Sequence, residues 1–312
     1  MKRQSVILSV LLLLVLILSA CAGPATPAAT PTASPLVMTD GLGRTVTLAQ
    51  PAQRVVSLAP SNTEILFAVG AGSQVVGRDN FSNYPPEALE LPGLGDFMGF
   101  SIEQIVALNP DLVLLAEIHP PELVKSLEDA GLTVYYLKNP LALEEMYSMV
   151  ITVGELTGHK TDAEALVTQL STRVAAIQQK IADVEQRPTV FYEIDGTDPS
   201  KPWTTGRGTF IDTLLEMAKA ENVGRAMDSQ YGQLSIEAIL AADPDFILLG
   251  DANFGVTPEQ VAARAGWGEL TAVKEGRVLP FNDDLVSRPG PRLVDGLEEL
   301  VKILHEEAVP VP

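Results

Sequence analysis

Aromatic side chains are scarce in this sequence, and many of them fall in segments that could bind a ligand. Aromatic residues make up only 5% of the 312 positions. Seven of them lie in loops expected to follow strands: Phe81, Tyr84, Phe97, Phe100, Trp203, Tyr231 and Phe254. Ligands of doubly wound sheets bind at the carboxyl ends of strands, so these rings are predicted to face one cleft. A wall of flat rings suits a large macrocycle, through apolar burial and offset stacking.

Charged residues near the same loops are compatible with two kinds of ligand, one nearly neutral and one anionic. Asp283 and Asp284 would accept hydrogen bonds from ligand amides but would repel an anion. An anionic ligand would instead favour a cluster of arginines. Four arginines lie in or beside the candidate loops: Arg78, Arg207, Arg288 and Arg292. The aspartate pair favours a nearly neutral ligand, and the arginines keep an anionic one as the alternative.

Catalytic and metal-binding patterns are weak. Ser57 and Ser61 stand between a strand and a helix, but no Gly-x-Ser-x-Gly motif or neighbouring base accompanies them. No glycine-rich phosphate motif is found. The three histidines fall on separate elements, and only His119, predicted to lie in an exposed loop, could reach the cleft. We therefore predict neither an enzyme nor a metal site.

A duplicated segment shows how these loops are positioned. Residues 101–115 and 235–249 are identical at nine of fifteen positions. In each copy a serine is a candidate N-cap for a short helix, and a proline ends that helix. An apolar run then predicts a strand buried on both faces, as in a parallel sheet. One such unit in each half of the chain predicts two similar α/β lobes.

The segments around the repeats complete this organisation. A hairpin is predicted over 37–48, a buried strand over 54–58, and further strands over 75–77, 133–137, 187–192 and 277–281. Two helices are predicted between the lobes, over 141–156 and 161–185. The second opens with a capping box, Thr161 to Glu164, and would be about 37 Å long. Trp267 is predicted to be a core residue.

The N-terminus predicts export. Lys2 and Arg3 precede an apolar run over 6–18, which has the length of a secretory signal. The following Leu18-Ser19-Ala20-Cys21 resembles the lipobox of bacterial lipoproteins, which implies cleavage before Cys21 and its acylation. Residues 22–35 contain four prolines and no charge, and predict an extended tether. Without residues 1–20, 19 basic residues face 40 acidic ones, a net charge of −21 that argues against nucleic acid as a partner.

Several motifs together resemble one protein family. They are residues 54–64, Tyr84-Pro85-Pro86, both repeat copies, residues 204–212 and residues 287–292. Along 37–307 the chain resembles the substrate-binding proteins of ABC importers for cobalamin and ferric complexes. The resemblance implies a class III periplasmic-binding-protein fold, in which two Rossmann-like α/β lobes are joined by a single long helix.

The resemblance also implies roles for particular residues. Glu103 and Glu237 match the glutamates that dock on arginines of the two permease subunits. Duplication at equivalent positions suits a two-fold partner. Phe81, Phe97, Trp203 and Tyr231 match positions that pack a corrin ring, although Phe97 and Tyr231 replace tryptophan. The complete predicted ligand set is Phe81, Tyr84, Phe97, Trp203, Tyr231, Asp283, Asp284 and Arg288.

We therefore expect a monomeric, exported lipoprotein that binds a corrinoid, needs no cofactor and serves a permease dimer with its ATPase subunits. A ferric siderophore or haem is the alternative ligand, and a ligand-sensing surface lipoprotein is the alternative role. The expected site is the outer face of the cell membrane or the periplasm. The predicted division is a signal peptide (1–20), a tether (21–36), a first lobe (37–140), a helical linker (141–187) and a second lobe (188–312).

Overall fold

The structure is a computed structural model that describes residues 35–305. The predicted signal peptide, Cys21 and most of the tether lie outside these residues. The described residues from Leu36 to His305 belong to one compact unit. None of the described helices combines the length and the apolar character needed to cross a membrane.

The first half, residues 36–137, is built on a four-stranded parallel sheet in the order β4-β3-β7-β8. Two short antiparallel hairpins, β1–β2 and β5–β6, accompany it, and the first confirms the hairpin predicted over 37–48. The strands are β1 (Leu36–Thr39), β2 (Thr45–Leu48), β3 (Val55–Ser57), β4 (Val75–Arg78), β5 (Gly95–Asp96), β6 (Gly99–Phe100), β7 (Leu112–Ala116) and β8 (Val134–Leu137). The helices are α1 (Pro60–Ala68), α2 (Ile102–Ala107) and α3 (Pro121–Asp129).

The second half, residues 189–304, is built on a six-stranded mixed sheet. Its strands follow the order β12-β10-β9-β13-β14, and β11 also pairs with β9. The strands are β9 (Thr189–Asp195), β10 (Trp203–Thr205), β11 (Glu221–Asn222), β12 (Tyr231–Gln233), β13 (Phe246–Leu249) and β14 (Val278–Pro280). The helices, numbered after the two that join the halves, are α6 (Phe210–Met217), α7 (Ile236–Ala242), α8 (Pro258–Ala262), α9 (Thr271–Lys274), α10 (Asp284–Ser287) and α11 (Leu293–Leu304).

The two repeat copies form the same unit in both halves. The Ser101 and Ser235 hydroxyls accept hydrogen bonds from the N–H groups of Gln104 and Ala238, which confirms both N-caps. After each helix, α2 and α7, the residue before proline turns with a positive φ, 47° in one copy and 42° in the other. The strand that follows is β7 or β13, and both are almost wholly buried.

Two helices lie between the halves, α4 (Leu143–Thr157) and α5 (Lys160–Lys180), and they pack against each other. The capping box predicted at Thr161 is wrong, because α5 starts one residue earlier, after His159, and has no side-chain cap. The helix also ends at Lys180 rather than near Glu185, and its 21 residues span about 31 Å. Arg173 on α5 forms ion pairs with Asp295 (2.8 Å) and Glu298 (2.7 Å) on α11.

The largest hydrophobic core is shared by both halves. It contains Val55 and Leu112 from the first sheet, Val190 and Leu248 from the second, and buried residues of α4 and α5 such as Met146. Each sheet also has a core of its own on its other face, and the one in the second half contains Trp267, as predicted. The two halves are therefore packed together through apolar contacts as well as covalently linked.

Candidate ligand-binding and docking site

A buried polar turn holds Phe81 at the carboxyl end of β4. Asp79 is 2% exposed, and its carboxylate accepts hydrogen bonds from the Phe81 N–H (2.8 Å) and the Ser82 hydroxyl. The Thr63 hydroxyl lies 2.8 Å from that of Ser82 and so ties the turn to α1. Burial raises the pKa of Asp79, and the hydrogen bonds from Ser82 and Phe81 offset only part of this effect.

The rings of Phe81 and Phe97 form a stacked pair. Their centroids are 5.6 Å apart and the rings are inclined by 17°. Phe97 lies between β5 and β6, so the stack joins two loops of the first half. Phe81 is 48% exposed and Phe97 62%. A pair of large rings that remains this exposed offers a flat apolar surface to a ligand.

Trp203 and Tyr231 start two paired strands of the second half, β10 and β12, rather than lying in loops as predicted. Trp203 is 43% exposed and Tyr231 45%. Trp203 pairs with Asp195 at the carboxyl end of β9, which is the edge of the sheet where ligands are expected. Partial burial and the negative charge of Asp283 raise the pKa of Tyr231.

The two adjacent aspartates, which are predicted to accept hydrogen bonds from ligand amides, contact different side chains. Asp283 accepts a hydrogen bond of 2.7 Å from the hydroxyl of Tyr192, which is fully buried in β9. Burial, and then the charge of Asp283 and its hydrogen bond, raise the pKa of Tyr192 well above its ordinary value. Asp284 instead pairs with Arg288 at 2.8 Å.

Arg288 and Arg292 meet a glutamate of the first half that the sequence did not single out. Glu64, on α1, is 3% exposed. Arg292 donates to both of its carboxylate oxygens, at 2.8 and 2.5 Å, and Arg288 donates to one of them at 3.2 Å. Asp284 lies against both arginines, so we call Glu64, Asp284, Arg288 and Arg292 the Glu64 cluster.

The Glu64 cluster reaches the aromatic loop of the first half. Arg288 donates to Asn83 Oδ1 (2.7 Å) and to the backbone oxygen of Phe81 (3.4 Å). The guanidinium of Arg292 lies 4.1 Å from the centre of the Tyr84 ring, a cation–π contact. The structure thus brings Phe81, Tyr84, Asp284 and Arg288 of the predicted ligand set into one connected group.

The other two candidate arginines are placed differently. Arg78 donates to the backbone oxygens of Ala88 and Asp79, both at 2.8 Å, so its guanidinium holds the chain after β4. Arg207 is exposed in the turn before α6. Neither belongs to the Glu64 cluster.

A second buried ion pair supports the loop that leads to Trp203. Arg264 donates to both carboxylate oxygens of Glu193, at 2.6 and 2.8 Å, and Glu193 is fully buried. Asp251 accepts a hydrogen bond of 2.9 Å from the N–H of Gly196 in that loop. Burial raises the pKa of both acids; the contact with Asp251 adds to the shift of Glu193, whereas the hydrogen bond with Glu193 offsets part of the shift of Asp251. The sequence did not indicate this cluster, because its members lie far apart along the chain.

Glu103 and Glu237 occupy equivalent positions in the two repeat units. Each is exposed in the first turn of its helix, α2 or α7. Among residues 35–305, neither carboxylate forms an ion pair. Both are therefore available to a partner, and the helix dipole stabilises their negative charge.

The prediction that His119 is an exposed loop residue is wrong. It is 2% exposed, and its Nδ1 lies 3.1 Å from the backbone nitrogen and 3.0 Å from the backbone oxygen of Ala116 at the end of β7. Its ring also packs edge-on against Phe100 at 5.4 Å. Burial lowers the pKa of His119. Within the described residues, no group of three or more histidine, cysteine or acidic side chains could hold a metal ion.

Two surface cavities lie in the second half, away from the predicted ligand residues. One, of about 1140 Å³, is lined by the segment before β9, the residues leading into β13 and β14, and the end of α11. The other, of about 480 Å³, lies between residues 280–285 and α11. Since neither is lined by an exposed aromatic of the predicted set, we base the candidate site on the aromatic pair and the Glu64 cluster.

The family model described as periplasmic binding protein matches residues 55–285. The chain belongs to this family. The resemblance inferred from the sequence motifs is thereby confirmed, and so is the prediction that the chain is not an enzyme, because these are binding proteins.

Relatives of this chain have names that refer to different ligands. An uncharacterised ABC transporter substrate-binding lipoprotein of Bacillus subtilis is 35% identical, covering 88% of this chain and 86% of that one. A cobalamin-binding protein of Halobacterium salinarum is 30% identical, covering 88% and 75%. The solved structure of a periplasmic haem-binding protein from Roseiflexus is 29% identical with a TM-score of 0.75, covering 83% and 100%.

Proposed function

We propose that this chain captures a corrinoid between its two α/β halves and delivers it to the permease of an ABC importer. The observation that carries the proposal is the group of aromatic side chains left exposed on both halves: Phe81, Tyr84, Phe97, Trp203 and Tyr231. Rings that are between 43% and 62% exposed suit burial against a large macrocycle. The H. salinarum relative, named a cobalamin-binding protein, supports the same ligand class.

The charged groups near these rings favour a ligand with little net charge. In this proposal Asp283, Asp284 and Arg288 form hydrogen bonds with the amides and other polar groups of the ligand. A ferric siderophore or haem is the second candidate, because a haem-binding protein of similar fold is among the relatives. Against it, Arg78 is bound to backbone oxygens, and Arg288 and Arg292 already face carboxylates.

Delivery would use Glu103 and Glu237. We propose that each docks on an arginine of one permease subunit in a dimer that carries its own ATPase subunits. Their equivalent positions in the repeat units support a two-fold partner. We also propose that α5 acts as the long helix joining the two lobes, since it packs on α4 at one side and is ion-paired with α11 at the other.

Export is supported by two relatives, of which one is named a lipoprotein and the other a periplasmic haem-binding protein. We propose that Cys21 carries the lipid and that the monomeric domain stands at the outer face of the membrane or in the periplasm. The alternative role, a ligand-sensing lipoprotein, predicts that the neighbouring genes encode neither a permease nor an ATPase.

Isothermal titration calorimetry tests the ligand. The purified protein without its lipid anchor is titrated with cyanocobalamin, a ferric siderophore and haemin. We expect one site per chain for cyanocobalamin and weaker binding or none for the two iron complexes. Binding of an iron complex alone would overturn the corrinoid assignment.

A further inference from the structure

One carboxylate of the first half is inserted between two guanidinium groups of the second. Glu64 Oε1 lies 2.5 Å from Arg292 Nη2 and 3.2 Å from Arg288 Nη1. The Glu64 side chain is 2% exposed and each arginine side chain 12%. Glu64 lies in α1, which follows β3 directly, so the contact forms where ligands of such sheets bind.

The cluster is balanced in charge. Two guanidinium groups face two carboxylates, because Asp284 lies 2.8 Å from Arg288 and 3.9 Å from Arg292. Burial lowers the pKa of Arg292, but the hydrogen bond and charge of Glu64 and the charge of Asp284 raise it more, so the net shift is upward. Of the two acids, Glu64 holds both arginines at hydrogen-bond distance and is almost wholly buried, whereas the Asp284 side chain is 27% exposed.

The cluster also adjoins the exposed rings. Arg288 reaches Asn83 and the Phe81 backbone, and Arg292 lies over Tyr84. A ligand packed on Phe81 and Tyr84 would therefore have the two guanidinium groups beside it. Arginine binds carboxylates in a bidentate manner, so these groups would select an anionic ligand if they had no internal partner.

We propose that Glu64 determines the charge specificity of the ligand site by occupying both arginines. With Glu64 in place, the region under the aromatic loop presents no uncompensated cation to a ligand. A macrocycle without free carboxylates then binds through its apolar surface, and one with carboxylates gains no net charge attraction from Arg288 or Arg292. This inference rests on the proposed function for the location of the ligand.

The test is the isosteric substitution Glu64→Gln, with haemin and its dimethyl ester as probes. The two probes share one ring, but only haemin has free propionates. In the variant, two guanidinium groups face Asp284 alone. We expect its affinity for haemin to rise by about tenfold, the size of one charge-assisted hydrogen bond, and its affinity for the ester to stay unchanged.

The matched control is Glu122→Gln, an exposed glutamate in the first turn of α3. It changes net charge by the same amount, and we expect neither affinity to change. An unchanged haemin affinity in a folded Glu64→Gln protein would overturn the inference. An equal change for haemin and ester would also overturn it, because it would indicate a purely structural role.

A second variant keeps the inference testable if Glu64→Gln does not fold. Asp284→Asn removes the charge of the more exposed acid of the cluster. This variant should also bind haemin more tightly than the unmodified protein does, without a matching gain for the ester. No such difference would contradict the proposal. Cyanocobalamin binding by the unmodified protein tests the proposed function separately, since the haemin-to-ester ratio is measured whether or not a corrinoid binds.

Discussion

Buried ionisable side chains show at the scale of single residues how the site is held. Asp79 fixes the turn that carries Phe81, Glu193 and Asp251 hold the segment before Trp203, and Glu64 joins the halves. Each of these acids is nearly removed from water and keeps hydrogen-bond partners, as a buried charge requires. The aromatic rings are thus exposed while the groups that place them are not.

We predict that Asp79 makes stability fall as pH rises. Its pKa is raised on folding, so between its unfolded value of about 3.9 and the raised folded value the folded protein binds more protons. By linkage, the free energy of unfolding must decrease with pH across that window and level off above it. Asp79→Asn removes this contribution, so the variant should gain stability relative to the unmodified protein as pH increases.

Urea unfolding at a series of pH values from about 4 to 7 measures the effect. Asp198→Asn is a suitable control, because that partly exposed acid has a lowered pKa and its effect has the opposite sign. Parallel stability curves for the Asp79→Asn and unmodified proteins would show that the carboxyl group titrates normally.

At the scale of elements, the repeat unit was predictable because its signals are local. Serine caps, the proline that ends each helix and the apolar strand all act within fifteen residues. The aspartate after that proline has an additional role in both copies. Asp111 accepts hydrogen bonds from the N–H groups of Gln53 and Arg54, and Asp245 accepts from the N–H and hydroxyl of Thr189. Each thus fixes the start of the neighbouring strand.

We predict that Asp245→Ala lowers the free energy of unfolding by about 1–3 kcal/mol, because it leaves two donors of Thr189 without their acceptor. Chemical denaturation measures the loss. The control is Asp129→Ala, which removes only the exposed ion pair with Lys125 and should cost about 0.5 kcal/mol or less. Equal losses in the two variants would contradict the strand-anchoring role.

Contacts between distant parts of the chain account for what the sequence did not predict. Glu64 and Arg292 are 228 positions apart, and no local pattern marks them as partners. His119 has the sequence context of a loop, but it is buried by Phe100 and the end of β7. The start of α5 differs from the prediction because Thr161 and Glu164 match a capping box, but both lie inside a helix that begins at Lys160.

At the scale of the whole molecule, the two halves share one hydrophobic core and one ion cluster, yet each has its own docking candidate. Glu103 and Glu237 lie on equivalent helices of different halves, outside the Glu64 cluster. Ligand capture and docking would therefore use different side chains of one compact unit. This separation makes the two activities independently testable.

We predict that the double variant Glu103→Ala with Glu237→Ala keeps its ligand affinity and loses uptake. The reason is that only the permease would contact these exposed carboxylates. Calorimetry on the purified protein and ligand uptake by cells that carry the variant measure the two effects. A variant with Glu122→Ala and Glu87→Ala, two other exposed acids, serves as control and should keep both its ligand affinity and its uptake. Loss of affinity in the first variant would instead place Glu103 and Glu237 at the ligand.

The contrast between the two tryptophans has a practical consequence. The chain contains only Trp203 and Trp267. Trp267 is fully buried, with its indole N–H donating to the backbone oxygen of Pro199 at 3.1 Å, whereas Trp203 is 43% exposed. Acrylamide should therefore quench the emission of Trp203 and leave that of Trp267 as an internal reference. Shielding of Trp203 from acrylamide would therefore report ligand binding without any attached dye.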